Sequence, residues 1–115
     1  MIVRSGIGKV CAAAVTAILI TSFKVSVIIN SGSAGALDAS LNLGDTVFSA
    51  GVAFHDADLT IFGYKKGQMA GHELYFQSSP ELIAKAEIAA DNVPSIRSHV
   101  KKGIVLSGDQ FISSH

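Results

Sequence analysis

The chain has 115 residues, enough for one domain with a core of its own. Nine Lys plus Arg balance nine Asp plus Glu, so the formal charge is zero. That balance argues against nucleic acid or an anionic membrane as partner, since both require a basic surface. With 49% apolar and only 16% charged residues, the composition is also the reverse of a disordered chain. So little charge predicts that part of the surface is covered by something else. The single cysteine, Cys11, rules out an intramolecular disulfide and a cysteine-rich metal site. Within its alanine-rich run it is expected to be a small buried hydrophobe, not a nucleophile.

Ile2 to Arg4 reads as the end of a strand, and Ser5-Gly6-Ile7-Gly8 as a turn whose glycines permit a sharp bend. A helix is predicted over Lys9–Phe23, where Val15, Ile18 and Leu19 recur at helical spacing. Its apolar part, Val10 to Phe23, is too short to span a bilayer as a helix, which takes about 20 residues. Arg4 and Lys9 ahead of it imitate the start of a signal peptide. The next stretch, Val25 to Asn30, is strand-like instead of a polar cleavage region, so a buried helix of an α/β protein is the preferred reading.

Val25-Ser26-Val27-Ile28-Ile29 is β-branched and apolar, as in a strand buried on both faces. Strand, turn, helix, strand predicts a parallel βα unit. The small-residue loop Ser31–Ala36 then lies at a strand's carboxyl end, where open α/β sheets bind ligands. Thr46–Phe54 reads as a strand bent near Gly51. His55 to Gly71 is a long loop carrying Leu59, Ile61, Phe62 and Tyr64 among glycines, a composition that favours binding. Ser78 and Glu81 have capping-box spacing, while Ser79 before Pro80 offers another N-cap for a helix running to about Ala90. Gly103–Ser107 is a further buried strand, closing on Gly108-Asp109-Gln110-Phe111.

His55, Asp56 and Asp58 are the only cluster of metal-ligand types, and His55 and Asp56 would diverge on a strand, so no metal site is expected. Pinning the following loop is the more ordinary role for His55 and Asp56. Nucleophile-elbow, Walker and dinucleotide motifs are absent. Asp109 reads as a loop cap at a strand's carboxyl end. Phe62, Tyr64 and Phe111 are either core or an aromatic wall for a flat base.

Five motifs carry a resemblance. Ser5-Gly6-Ile7-Gly8-Lys9-Val10 comes first, then Val27-Ile28-Ile29-Asn30-Ser31-Gly32-Ser33-Ala34-Gly35, then Gly44-Asp45. His55-Asp56-Ala57-Asp58-Leu59-Thr60 is the fourth, with Phe62-Gly63-Tyr64 and Gly67-Gln68, and Ser107-Gly108-Asp109-Gln110-Phe111-Ile112 is last. In this order and spacing the chain resembles the bacterial 5′-methylthioadenosine/S-adenosylhomocysteine nucleosidases. The resemblance covers about the middle half of a family chain. It implies an α/β fold, part of the mixed-sheet nucleoside phosphorylase/nucleosidase architecture, as one incomplete three-layer domain over residues 1–115.

It further implies hydrolysis of the N-glycosidic bond of these adenine nucleoside thioethers in cytoplasmic methionine salvage, by a homodimer without cofactor. Ile7 would lie near the sugar and sulfur. Ser33, Ala34 and Gly35 would line the ribose and water side. Phe111 would stack on adenine, and the Ile112 backbone would bond its edge. Leu59, Phe62 and Tyr64 would complete the partner subunit's pocket. The family's water-activating glutamate, its ribose-binding Met-Glu-x-Glu segment and its adenine-protonating aspartate have no counterpart here, so the isolated chain is expected to be nearly inactive. A purine nucleoside phosphorylase is the neighbouring alternative, but Asn30 stands where such enzymes tend to place a phosphate-gripping arginine. A non-catalytic fragment is the other.

Overall fold

A computed structural model describes residues 1–113. They form two compact units, one of residues Gly35–Ser107 and one of Met1–Ala34 with the segment that starts at Gly108.

The larger unit is built on a mixed sheet of three strands in the order β2-β1-β3, with β1 at Thr46–Phe54, β2 at Phe76–Gln77 and β3 at Val100–Ser107. β1 and β3 are parallel, from Thr46 opposite Val100 to Phe54 opposite Ser107, and β2 adds an antiparallel pair of residues on the other side of β1. The ladder is extended at both ends. Thr46 N donates to His99 O at 2.8 Å, and His55 N donates to Ser107 O at 3.0 Å. The expected bend near Gly51 is a β-bulge between Ser49 and Gly51. Ser49 Oγ spans it, donating to Gly51 O at 2.8 Å, and the Ala50 carbonyl accepts from Ser78 N at 3.1 Å. Gly51 suits this place because a Cβ there would lie 3.2 Å from Phe76 O.

Ser79 is the N-cap of α2 (Pro80–Asp91), its hydroxyl accepting from Leu82 N at 3.4 Å. Pro80 occupies the first helical position, where its missing N–H costs nothing. The structure thus selects Ser79 over the Ser78–Glu81 box, and Glu81 instead pairs with Lys85 at 2.6 Å. The short helix α3 (Pro94–Arg97) leads into β3. Ala53 on β1 and Ala90 on α2 are the buried apolar side chains among the described residues. Such small side chains let a helix approach a strand closely. Glu87 on α2 also pairs with Lys102 on β3 at 2.7 Å. Edge-on packing of Phe54 against Phe76, centroids 6.0 Å apart, joins β1 to β2.

In the smaller unit, α1 spans Lys9–Phe23, as its apolar spacing predicts. It ends where Lys24 adopts φ 54°, the left-handed cap geometry. Three expectations fail in this unit. Ile2–Arg4 and Val25–Ile29 are not strands, because no backbone ladder includes them among the described residues. Apolar, β-branched sequence favours a strand, but only paired N–H and C=O groups make one. α1 is not buried either. Ala12, Val15, Thr16 and Leu19 form a half-buried stripe, while Val10, Ile18, Ile20 and Phe23 face solvent. Cys11 is exposed on the same helix and is not the buried hydrophobe expected.

Two measurements bear on this packing. At Gly67 (φ +86°) a Cβ would lie 2.6 Å from Phe54 O, whereas at Gly63 (φ +83°) it would meet nothing within 4 Å. Gly67→Ala should therefore destabilise the unit by ~2 kcal/mol or more and Gly63→Ala by roughly 1 kcal/mol, measured as urea midpoints. Equal losses would contradict the contact.

The second concerns acid. The backbone N–H of Asn42, then His99, holds the Asp45 carboxyl below its ordinary range. Ser40 does the same for Asp38, and Thr60 for Asp58. A depressed folded value means stabilisation that is complete above the ordinary carboxylate range and is lost as pH falls through the folded value. The urea midpoint should fall below about pH 4, and by less in Asp45→Asn.

Candidate functional site

The turn before α1 combines two left-handed glycines, Gly6 at φ 84° and Gly8 at φ 94°. Between them Ile7 projects fully into solvent, 98% exposed. Gly8 caps α1 without any side chain, and the first helical turn contains no acidic residue. Lys9 stands there instead, a cation at the positive end of a helix dipole. Its Nζ lies 3.4 Å from Asp109 Oδ2. This ion pair links the glycine turn to the segment that carries Phe111 and Ile112. Both of those side chains are exposed, Phe111 to 93%.

Residues 27–36 run without helix or ladder, and Ser33, Ala34 and Gly35 are all exposed. Ile7, Ser33, Ala34, Phe111 and Ile112 fall in one compact unit, and Gly35 is the first residue of the other. Phe62 and Tyr64 belong to that other unit and Phe111 to the first, so the three aromatics are divided between them.

Leu59, Phe62 and Tyr64 sit on a loop held by polar devices. Asp58 Oδ1 accepts from Thr60 N at 3.1 Å and from Thr60 Oγ1 at 2.7 Å. That caps a single 3-10 turn, Thr60–Phe62. Gly67 N donates to Ala57 O at 2.8 Å. Gln68 ties both flanks of its own turn, accepting from Lys65 N at 3.1 Å and donating to His72 O at 2.8 Å. The loop therefore has a fixed backbone while Phe62 at its tip is 74% exposed and Ile61 more so. Leu59 and Tyr64 are half-buried.

His55 and Asp56 are the residues expected to pin this loop. Asp58, whose spacing to Thr60 suits an Asx turn, is a further residue that holds it. Sequence reasoning also misses the Lys9–Asp109 pair. A lysine in the first turn of a helix that lacks acidic neighbours is its signal.

Under the same loop lies an open, largely apolar hollow of about 280 Å3, lined by residues including Phe54, His55, Lys66, Leu74, Tyr75 and Leu106. Of the motif residues, His55 and Gly67 line it, whereas Ile7, Ser33, Ala34, Gly35, Leu59, Phe62, Tyr64, Phe111 and Ile112 do not. Among the described residues, no three His, Cys, Asp or Glu side chains could jointly hold a metal ion. No helix among them is long and apolar enough to cross a membrane.

Residues 1–115 match the family described as the phosphorylase superfamily. A 5′-methylthioadenosine/S-adenosylhomocysteine nucleosidase of Staphylococcus aureus is 51% identical over 114 residues, which is 99% of this chain and 49% of that protein. Among solved structures, the Neisseria meningitidis nucleosidase of the same name, in complex with methylthio-immucillin-A, is 43% identical with a TM-score of 0.90, over 96% of this chain and 47% of its own. The Colwellia psychrerythraea nucleosidase, in complex with adenine, is 44% identical with a TM-score of 0.84, over 94% and 44%. The chain thus spans about half the length of the curated relatives it matches. The mixed sheet with its parallel β1–β3 pair belongs to a fold shared with those neighbours at TM-scores of 0.84 and 0.90. With its whole length matched by that family, the chain belongs to the phosphorylase superfamily.

Proposed function

We propose that this chain is the part of a 5′-methylthioadenosine/S-adenosylhomocysteine nucleosidase that forms the walls of the nucleoside cleft. One observation carries the proposal: 51% identity to such a nucleosidase over nearly the entire chain. The gathering of Ile7, Ser33, Ala34, Phe111 and Ile112 in one unit supports it. Ile7 then lies beside the sugar and sulfur, and Ser33, Ala34 and Gly35 flank ribose and the attacking water. Small side chains there let a substrate reach backbone groups. Phe111 stacks on adenine, and its exposure leaves the ring face open for that contact. The Ile112 backbone reads the edge of the base.

Leu59, Phe62 and Tyr64 face the alkylthio tail bound by a partner subunit in a homodimer. A fixed loop with an exposed apolar tip suits that task, because little entropy remains to be lost on docking. The setting is cytoplasmic methionine salvage and the removal of S-adenosylhomocysteine. No cofactor, metal, nucleic acid or membrane enters this reading.

In the reaction, the bond from ribose C1′ to adenine breaks through a sugar cation, as in other glycoside hydrolyses. Adenine gains a proton as it leaves, and water loses one as it attacks C1′. Each positioned acid or base contributes about 10²–10⁴-fold. None of the residues placed at the cleft can serve as either group: they are Ile, Ser, Ala, Gly and Phe. In this reading the cleft residues bind and orient, while proton transfer belongs to other groups.

Incubating the chain with methylthioadenosine and following adenine by chromatography should give a rate at most about 10⁻⁴ of that of a full-length nucleosidase. A comparable rate would overturn the division of roles. Added phosphate should leave any product unchanged, because Asn30 occupies the place of an anion-gripping arginine. Phosphate-dependent formation of a sugar phosphate would establish the phosphorylase reading instead.

A further inference from the structure

We infer that Lys9 and Asp109 are a positioning pair that sets the spacing between the two flanks of the purine riboside cleft. The inference rests on the reading of Ile7 and Phe111–Ile112 as those flanks. Neither charge touches the nucleoside in that reading, so both act through the segments they hold.

Lys9 lies two residues after Ile7, and Asp109 two residues before Phe111. The segments are a hundred residues apart in sequence, and a 3.4 Å contact between Nζ and Oδ2 joins them. Placement argues that the contact has a purpose beyond solubility. A lysine at the first position of α1 opposes the helix dipole, and α1 supplies no acid of its own in that turn. Asp109 supplies the missing negative charge from outside the helix. Burial is unequal as well. The Lys9 side chain is only 28% exposed, whereas that of Asp109 is 73% exposed. The lysine stem is packed along the unit and offers its ammonium as a fixed anchor, onto which the more open aspartate docks.

An aromatic ring that stacks on a base is useful only at a fixed distance from the sugar side of the cleft. Holding two segments at that distance before the ligand arrives removes an ordering cost from binding. Exposed as they are, Ile7 and Phe111 have little packing of their own to do this. The ion pair that spans their neighbours does it instead.

The sole cysteine, Cys11, is exposed on the first turns of α1, so a nitroxide can be attached to the unaltered chain. Broadening of the Phe111 and Ile112 resonances by that label then reports how closely the post-β3 segment is held to the helix. Lys9→Met and Asp109→Asn should each shift the docked population about two- to fivefold toward release, the range set by an exposed ion pair. Lys9→Arg should keep the broadening, and the Lys9→Asp/Asp109→Lys exchange should restore it. Salt at about 1 M should weaken it in the wild-type chain.

Broadening that is unchanged in both single variants, or an exchange that restores nothing, would overturn the inference. Should a single variant unfold the segment, the exchange and the salt titration still decide. Adenine titrated into the wild-type chain separates the two levels. Unmoved Ile7 and Phe111 resonances with intact label broadening would remove the purine reading and leave the pair standing.

Discussion

Backbone pairing between β1 and β3 is the constraint that organises the larger unit. Two apolar strands far apart in sequence meet in parallel, so the chain between them must cross over, and α2 and α3 lie within that crossover. The ladder is closed by Thr46 and His99 at one end and by His55 and Ser107 at the other. At the first end Asp45 Oδ1 also meets His99 Nδ1 at 3.2 Å, with the Asp45 side chain only 4% exposed. A carboxylate so withdrawn from water must be held by hydrogen bonds, and the Asn42 N–H at 2.9 Å supplies another. Register is therefore fixed at the ends by polar contacts, and in the middle by a bulge that only small residues fit.

That arrangement determines where irregular backbone can do chemistry. Beyond Phe54 the chain leaves the ladder and enters the Asp58-capped loop. Beyond Ser107 it enters the segment with Asp109, Phe111 and Ile112. Both departures are at carboxyl ends of parallel strands, the place where α/β sheets present ligand-binding loops. The strands supply rigidity and the loops supply the contacts. Accordingly, the residues placed at the proposed cleft lie outside the α-helices and strands, with Phe62 ending the single 3-10 turn.

Elements closed by local chemistry were legible in the sequence. α1 is bracketed by Gly8 and Lys24, α2 starts at Ser79-Pro80, and β1 bends at a glycine, each marked by a residue with a strong local backbone preference. Val25–Ile29 failed because a strand is a relation between two segments, and composition describes only one of them. Cys11 and the outer side of α1 failed for a related reason. An alanine-rich helix that is apolar all round is expected to be covered, but the covering must come from another segment. At the site, the motif residues could be named from resemblance, while Asp58, Gln68 and the Lys9–Asp109 pair could not. Their roles depend on which backbone atoms a short polar side chain happens to reach.

The same low charge that suits a nucleoside wall has a structural consequence. A purine and a thioether tail are apolar over most of their surface, so residues that receive them must stay uncovered until they bind. Ile7, Phe62 and Phe111 meet that description. Yet uncovered apolar side chains also attract other chains, and β3 is an edge strand of its sheet among the described residues, with Ile104 and Leu106 partly exposed. Lys101 and Lys102 sit at the start of that strand, where charge discourages unwanted pairing. They protect one half of the edge and leave Gly103 to Ser107 unguarded. Protecting the edge and keeping the proposed cleft receptive are opposing demands on neighbouring residues, and the composition of β3 divides them along its length.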